Sequence, residues 1–161
     1  MRQAFQYFRS NIKIAEIGVF KGAHAKQLLD DMPDAQVYLI DAYDIRYSTF
    51  QPYGGGEFNP MEFIEAVTEL IAPYGDRAKL LVQESIVAAH QFDDDYFDFV
   101  YIDAQHEYYH VKKDIAAWWP KVKKGGTLGG HDAGTPGVTH AIREFFPDSH
   151  LIRGADWMVQ K

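Results

Sequence analysis

The clearest structural signal in the chain is Ile14-Ala15-Glu16-Ile17-Gly18-Val19-Phe20-Lys21-Gly22. A short apolar run reaches an acid, passes two glycines four positions apart, and continues into a helical pattern. A strand that turns into a helix through glycines presents backbone N–H groups and the positive end of the helix dipole, which suit an anionic group. We therefore expect Glu16, Gly18 and Gly22 to lie beside a nucleotide-like ligand, although glycines at such a turn also serve steric purposes.

The spacing within this stretch distinguishes two kinds of cofactor. The pattern is E-x-G-x-x-x-G, which differs from the G-x-G-x-x-G signature that binds a dinucleotide pyrophosphate. An acid just before the first glycine suits a ligand that carries a cation, such as an amino-acid ammonium group. The pattern favours S-adenosylmethionine over NAD, and a nicotinamide-dependent oxidoreductase stays open as an alternative.

Size, charge and composition exclude several classes of protein. A chain of 161 residues suits one domain, so residues 1–161 are expected to form a single domain. The net charge of -7 argues against nucleic acid as a partner, and the absence of cysteine excludes disulfides, thiolate metal sites and cysteine nucleophiles. No apolar run has the length of a membrane span or a signal peptide, which predicts a cytoplasmic protein without membrane contact.

Apolar runs alternate with helical patterns along the chain. Strands are predicted at 12–19, 37–40, 79–82, 97–102 and 127–130, and a closing hairpin at 150–153 and 157–160. Helices are predicted after Asn59-Pro60, from Glu107 to Trp119, and after Thr135-Pro136. Repeated β–α units predict an α/β fold: a Rossmann-like, doubly wound, mostly parallel sheet with helices on both faces and an antiparallel hairpin at its end.

An acidic residue follows or ends each of the first five predicted strands. Parallel strands place their carboxyl ends at one edge of the sheet, where ligands bind in folds of this kind. Five acids in order along one edge are hard to explain as helix caps alone. The five are Glu16, Asp41, Glu84, Asp103 and Asp132.

These motifs resemble those of class I S-adenosylmethionine-dependent methyltransferases, in particular the small branch of metal-dependent sugar and macrolide O-methyltransferases. The resemblance extends over roughly 13–161. Its matching segments are Glu16–Gly22, Tyr38–Asp41, Gln83–Ser85, Phe97–His106, and the stretch from Trp118-Trp119-Pro120 through Lys124–Asp132.

The resemblance implies a role for each cofactor-binding position. Glu16 and the N–H groups around Gly18 and Gly22 would hold the methionine end, and Asp41 would accept hydrogen bonds from the ribose hydroxyls. Glu84 and Ser85 would contact the adenine edge. Asp41 could instead be a turn-forming aspartate, and Ser85 a helix N-cap.

The resemblance also implies a catalytic group of residues. Asp103 and Asp132 match the positions that bind a divalent metal, and His106 matches a basic histidine that would accept the substrate proton. His131 departs from the usual pair of oxygen ligands. It would favour Mn²⁺ or another transition metal over Mg²⁺, or would not ligate. His106 could also be an ordinary surface residue.

The expected activity is methyl transfer to a small hydroxylated molecule such as a sugar or a phenol. A cofactor-binding module that needs a partner for catalysis is a further alternative, and assembly into a homo-oligomer stays open. The segment from Tyr43 to Asn59 is rich in aromatics and contains Gly54-Gly55-Gly56. It suits a lid over the site or a satellite packing cluster.

Overall fold

A central seven-stranded sheet organises the protein, for which a computed structural model describes residues 11–44 and 59–161. The spatial order of the strands is β3-β2-β1-β4-β5-β7-β6. Strands β1 to β5 pair in parallel, whereas β7 runs antiparallel to both β5 and β6. The strands are β1 Lys13–Ile17, β2 Gln36–Asp41, β3 Ala78–Val82, β4 Phe97–Ile102, β5 Val122–Gly130, β6 Leu151–Arg153 and β7 Asp156–Gln160.

In the described parts of the chain, five α-helices connect the strands and cover both faces of the sheet. A 3₁₀ segment extends α2 through Ala72–Arg77, and another extends α4 through Trp119–Lys121. The predicted fold class, with its closing hairpin, is confirmed. The helices are α1 Ala23–Asp31, α2 Pro60–Ile71, α3 Ser85–Ala89, α4 Tyr108–Trp118 and α5 Pro136–Phe145.

Alternate residues of the central strand β1 enter two separate hydrophobic clusters. Ile14 packs with α1 and α2 on one face, whereas Ala15 and Ile17 pack with α4 and α5 on the other. Strands that are buried on both faces are rich in apolar residues, and in β1 only Lys13 and Glu16 interrupt the apolar sequence. The chain crosses from one side of β1 to the other between β3 and β4, so the carboxyl ends of β1 and β4 form the crevice typical of ligand sites in this architecture.

The element boundaries differ from the predicted ones at several places. Strand β1 is shorter than predicted, because the chain turns at Gly18, where φ is +88°. Strand β5 begins five residues earlier than predicted, and its pairing with β4 shifts register between Phe97 and Phe99. The charged and glycine-rich segment Val122–Gly126 therefore belongs to the strand, although its sequence lacks an apolar run.

The predicted start of α2 is confirmed in detail. Asn59 is the N-cap, its side-chain oxygen accepts a hydrogen bond from Met61 N at 3.2 Å, and Pro60 follows at the first position. Glu62 supports the cap through a 2.8 Å bond from the Asn59 amide, so it acts on the side chain rather than on the backbone. Thr135 is also an N-cap residue, for α5, but its side chain makes no capping bond.

Two further expectations concern the segment after β2 and membrane contact. Of the Tyr43–Asn59 segment, residues 45–58 lie outside the described residues, so the lid stays a prediction. None of the helices in the described ranges is long and apolar enough to cross a membrane.

Candidate active site

A cavity of about 340 Å³ opens at the carboxyl ends of β1 to β4. Its volume falls within the range of pockets that hold small molecules and cofactors. Helices α3 and α4 close one side of it with both apolar and charged side chains. The lining residues are Ile17, Gly18, Phe20, Ile40, Asp41, Ala42, Tyr43, Asp44, Gln83, Glu84, Ser85, Ile86, Asp103, Ala104, Gln105, His110, Lys113 and Asp114.

Gly18 allows β1 and β4 to meet at the floor of this cavity. A β-carbon on Gly18 would lie 2.2 Å from the carbonyl oxygen of Asp103, and its φ of +88° is one that favours glycine. Asp103 N also donates to Ile17 O at 2.8 Å. The glycine therefore brings the backbone of the first motif into contact with the acid that ends β4.

The expected free N–H groups of the glycine turn are used within the protein, which corrects the sequence-based interpretation. Gly18 N donates to Ile40 O at 2.9 Å, and Gly22 N donates to Val19 O at 2.8 Å. The N–H groups of Val19 and Phe20 both donate to Asp41 Oδ2, at 2.8 and 2.9 Å. The turn is thus held in place by β2, and an anion-binding nest at these four amides is not available.

Gly22 lies outside the lining of the cavity. A β-carbon there would meet Leu70 and Val67 of α2 at 3.1 and 3.4 Å, so the residue allows α1 to begin close to α2. Gly22 therefore serves the packing of two helices, which is the steric role that the sequence analysis gave as the alternative to ligand binding. Its contribution to ligand binding stays a prediction.

Asp41 combines the two roles that the sequence left open. Its Oδ1 accepts from Tyr43 N at 2.8 Å, which is a turn-forming bond, while Oδ2 accepts the two bonds from the glycine turn. A carboxylate has about four acceptor sites, so Oδ1 retains capacity for a ligand hydroxyl. Because Asp41 also lines the cavity, it can hold the turn and contact a ligand at once.

Glu16 is buried behind the cavity rather than exposed at its edge. Its side chain is 2% exposed, and its Oε1 lies 3.1 Å from His24 Nδ1. Burial raises the pKa of Glu16, although His24 opposes that shift. Within the described ranges, neither Glu16 Oε2 nor the buried hydroxyl of Tyr43, a cavity residue, has a hydrogen-bond partner.

These two orphaned polar atoms test whether the residues fit the expected cofactor. A buried acceptor and a buried hydroxyl without partners are costly unless a ligand supplies the missing bonds. An ammonium group beside Glu16 would satisfy the carboxylate, so the residues fit a ligand with an amino-acid end. Tyr43 and Phe20, both at the cavity, also have positive φ values of +45° and +51°, and strained backbone of this kind concentrates at functional sites.

The end of β3 leads directly into α3, where Glu84 is the N-cap residue and Ser85 the first helical residue. The alternative prediction of Ser85 as N-cap is therefore wrong. Its hydroxyl instead donates to Asp114 Oδ1 at 2.5 Å and accepts from Trp118 Nε1 at 2.8 Å. Both Glu84 and Ser85 line the cavity, as a contact with adenine would require.

Two histidines and two aspartates gather at the ends of β4 and β5, and we call this group the Asp–His cluster: Asp103, His106, His131 and Asp132. Asp132 Oδ2 lies 2.9 Å from His106 Nε2 and 3.2 Å from His131 Nδ1. Both histidine nitrogens are 4.0 Å from Asp103 Oδ1. Of the cluster, Asp103 alone lines the cavity, so it joins the two parts of the site.

Three members of the cluster are arranged as metal ligands. One donor atom each from Asp103, His131 and Asp132 lies within 4.8 Å of the others. Two carboxylates and an imidazole suit a divalent transition metal better than Mg²⁺, which prefers oxygen. The chemistry of the donor set therefore fits a metal site, with His106 beside it.

Charge within the cluster shifts two pKa values. Burial raises the pKa of Asp103, with Asp132 adding to the shift and His131 opposing it. Burial lowers the pKa of His131, but its hydrogen bond to Asp132 and the charge of Asp103 outweigh that effect and raise the pKa above its usual value. Two carboxylates close together favour a bound cation, whether a proton on histidine or a metal ion.

Local backbone structure positions the cluster. A β-carbon at Gly137 would lie 2.3 Å from the carbonyl oxygen of His106, so the start of α5 packs tightly against the loop that carries this histidine. Asp132 adopts φ of +56°, a left-handed conformation that aspartate tolerates better than most residues. His131 N donates to Ile102 O at 3.1 Å, which ties the end of β5 to the end of β4.

Several cavity residues were missed at the level of the sequence. Asp114, His110 and Lys113 lie on α4 and line the cavity, whereas the helical pattern indicated only the apolar stripe of that helix. Asp114 is the one buried acid in the described part of α4, and an acid between apolar positions on the buried face was the available signal. Tyr43 was expected only as the start of the aromatic segment, and its burial was not predictable because it depends on the turn after β2.

Comparisons with solved structures confirm the fold. CalS11, a TDP-rhamnose 3′-O-methyltransferase of calicheamicin biosynthesis, superposes with a TM-score of 0.67 at 16% identity, over 99% of this chain and 74% of that one. A Corynebacterium glutamicum protein gives 0.66 at 18%, over 94% and 72%. MycE of the mycinamycin pathway, in complex with Mg and S-adenosylhomocysteine, gives 0.63 at 18%, over 99% and 47%.

Sequence comparisons place the chain in a family. A comparison with curated proteins finds no significant match. The family model described as "Methyltransferase domain" matches residues 15–133, a range that contains the glycine turn, the cavity and the Asp–His cluster. Because the match extends over most of the chain, the protein belongs to this methyltransferase family.

Proposed function

We propose that the protein transfers a methyl group from S-adenosylmethionine to a hydroxyl oxygen of a small molecule such as a sugar or a phenol. The observation that carries the proposal is that Asp103 belongs to both the cavity and the Asp–His cluster. This residue lines the cofactor-sized cavity and belongs at the same time to a cluster of acids and histidines that can take up a proton. Methyl transfer to a hydroxyl requires both parts within reach of each other.

The polar groups at and behind the cavity support one orientation of the methyl donor. Glu16 and Tyr43 offer unsatisfied polar atoms near the β1 end, which suits the amino-acid portion. Asp41 Oδ1 suits a ribose hydroxyl, and the region between β3 and α4 suits the base. S-adenosylmethionine supplies an electrophilic methyl group on a sulfonium and leaves as S-adenosylhomocysteine.

His106 is the proposed proton acceptor. Its Nε2 lies 2.9 Å from Asp132 Oδ2, so a proton on Nε2 is held by that carboxylate and Nδ1 becomes the nitrogen that can accept a proton. Its side chain is 47% exposed, which leaves room for a substrate to approach. This arrangement, a carboxylate that orients a histidine base, is a common device for activating hydroxyl groups.

Asp103, His131 and Asp132 are the proposed metal ligands. A divalent ion bound there would lower the pKa of a substrate hydroxyl and fix its position. Asp132 is common to the metal ligands and to the carboxylate partner of His106, so one side chain links the two. MycE was solved with Mg, and its likeness to this chain supports the presence of a metal site without specifying the ion.

Release of S-adenosylhomocysteine from a panel of acceptors tests the proposal. Purified protein with S-adenosylmethionine is offered sugars, phenols, carboxylates and amines, each with Mg²⁺, with Mn²⁺ or with a chelator. We expect turnover with a hydroxylated acceptor and enhancement by a metal. Turnover with amines alone would contradict O-methylation, and uptake of the cofactor without product from any acceptor would favour a binding module that needs a partner.

A further inference from the structure

Asp114 is a buried acid that faces the cavity from helix α4. It is 6% exposed and lines the cavity. Its Oδ1 accepts a hydrogen bond from Ser85 Oγ at 2.5 Å. A carboxylate that is almost entirely buried is costly unless its remaining acceptor sites find donors.

Ser85 has no proton left to offer a ligand. A hydroxyl carries one proton, and that of Ser85 is directed to Asp114. The oxygen also accepts the Trp118 indole N–H at 2.8 Å. The serine therefore serves to orient the acid, and the acid is the group with spare hydrogen-bonding capacity at this end of the cavity.

The charge state of Asp114 strengthens this reading. Burial raises the pKa of Asp114 to about 6, while the hydrogen bond from Ser85 works in the opposite direction. The side chain is thus mainly ionised at neutral pH. An ionised carboxylate in such a place favours a ligand that brings an N–H donor into the cavity.

We propose that Asp114 accepts a hydrogen bond from the exocyclic amino group of the adenine base and so selects adenine over a base with an oxygen at that position. The inference rests on the proposed use of S-adenosylmethionine. The cavity lining also contains Ile86 and Ala104, which offer apolar contacts to the faces of a flat ring. Ser85 acts as a positioning residue that directs the carboxylate.

Calorimetric titration with two ligands tests this assignment. The ligands are S-adenosylhomocysteine and its deaminated analogue S-inosylhomocysteine, which carries an oxygen in place of the amino group. We expect the unmodified protein to bind the adenine ligand at least about tenfold more tightly, because the oxygen would face a carboxylate. The variant D114N presents an amide N–H₂ group instead. It should therefore bind the adenine ligand about tenfold more weakly and the analogue more tightly than the unmodified protein does.

The control is D98N, which also removes an aspartate charge. Asp98 accepts bonds from Lys13 N and Lys123 Nζ near the amino end of β4, far from the cavity lining. D98N should leave the preference between the two ligands unchanged.

Each outcome has one meaning. Equal affinity of the unmodified protein for the two ligands, or an unchanged preference in folded D114N, overturns the role of Asp114 and leaves the proposed function intact. No binding of S-adenosylhomocysteine overturns both. If D114N fails to fold, S85A is the second variant: it removes the bond that directs the carboxylate and should reduce the preference between the two ligands, and an unchanged preference would overturn the proposal.

Discussion

The backbone of Gly18 passes so close to Asp103 that a β-carbon on the glycine would lie 2.2 Å from the aspartate carbonyl oxygen. This contact joins the first strand to the strand that carries the acid shared by the cavity and the Asp–His cluster. The position therefore requires glycine for two reasons, since its φ is also +88°. The turn acts through this close approach, because its N–H groups are already bonded within the protein.

Replacing Gly18 with alanine should destabilise the protein strongly. The methyl group would collide with backbone atoms that cannot rotate away, and the positive φ adds strain, for a loss of about 3 kcal/mol in the free energy of unfolding. Gly154 is a matched control, since its φ is also positive but nothing lies within 4 Å of the position of its β-carbon. G154A should cost about 1 kcal/mol. Urea denaturation measures both, and equal losses would contradict the importance of the close approach.

His106→Ala should slow methyl transfer without weakening the binding of the cofactor. The loss of a proton acceptor is expected to reduce kcat about 100-fold, while the dissociation constant for S-adenosylhomocysteine stays within about twofold. His90, an exposed residue at the end of α3, provides the control variant H90A. Turnover in H106A equal to that of H90A would remove His106 from the mechanism.

The identity of the residue at position 131 should determine the preferred metal. His131 brings a nitrogen donor to a group that otherwise contains two carboxylates, so Mn²⁺ should support more activity than Mg²⁺. H131D supplies an all-oxygen set and should shift the ratio of the two activities toward Mg²⁺ by about tenfold. Activities measured across metal concentrations give this ratio, and an identical ratio in both proteins would show that position 131 does not ligate.

Asp114 should make the protein less stable as the pH rises. Its pKa is about 6 in the folded state against an ordinary value of 3.8, so the folded state binds the proton more tightly. The stabilisation is complete below pH 3.8 and is lost as pH rises through 6, for a total of about 3 kcal/mol. The free energy of unfolding of the unmodified protein relative to D114N should fall over this interval. A difference that is constant with pH would contradict the raised pKa.

Sequence patterns predicted the fold because its strands and helices depend on local features. Strand β4, buried almost throughout, is apolar at every position except Asp98, and Asn59-Pro60 gives both the cap and the first residue of α2. Strand β5 was too short in the prediction, because its first half has no apolar run: it pairs with β4 at Val122 before the register shifts, and Gly125 and Gly126 bond to the backbone of Lys161.

Only the site residues at the carboxyl ends of strands were predictable from the sequence. Asp41 and Asp103 follow directly from the edge of a parallel sheet, and so do their places in the cavity. The bonds that occupy the glycine turn were not predictable, because they depend on where the Asp41 carboxylate points. Asp114 was missed because helical periodicity shows which face is buried but not which neighbouring strand end that face meets.

Binding of the cofactor tests the account most directly. Purified protein is titrated calorimetrically with S-adenosylmethionine, S-adenosylhomocysteine and NAD. We expect dissociation constants on the order of micromolar for both sulfur ligands and no heat with NAD. Binding of NAD without the sulfur ligands would contradict it and would favour a nicotinamide-dependent enzyme built on the same sheet.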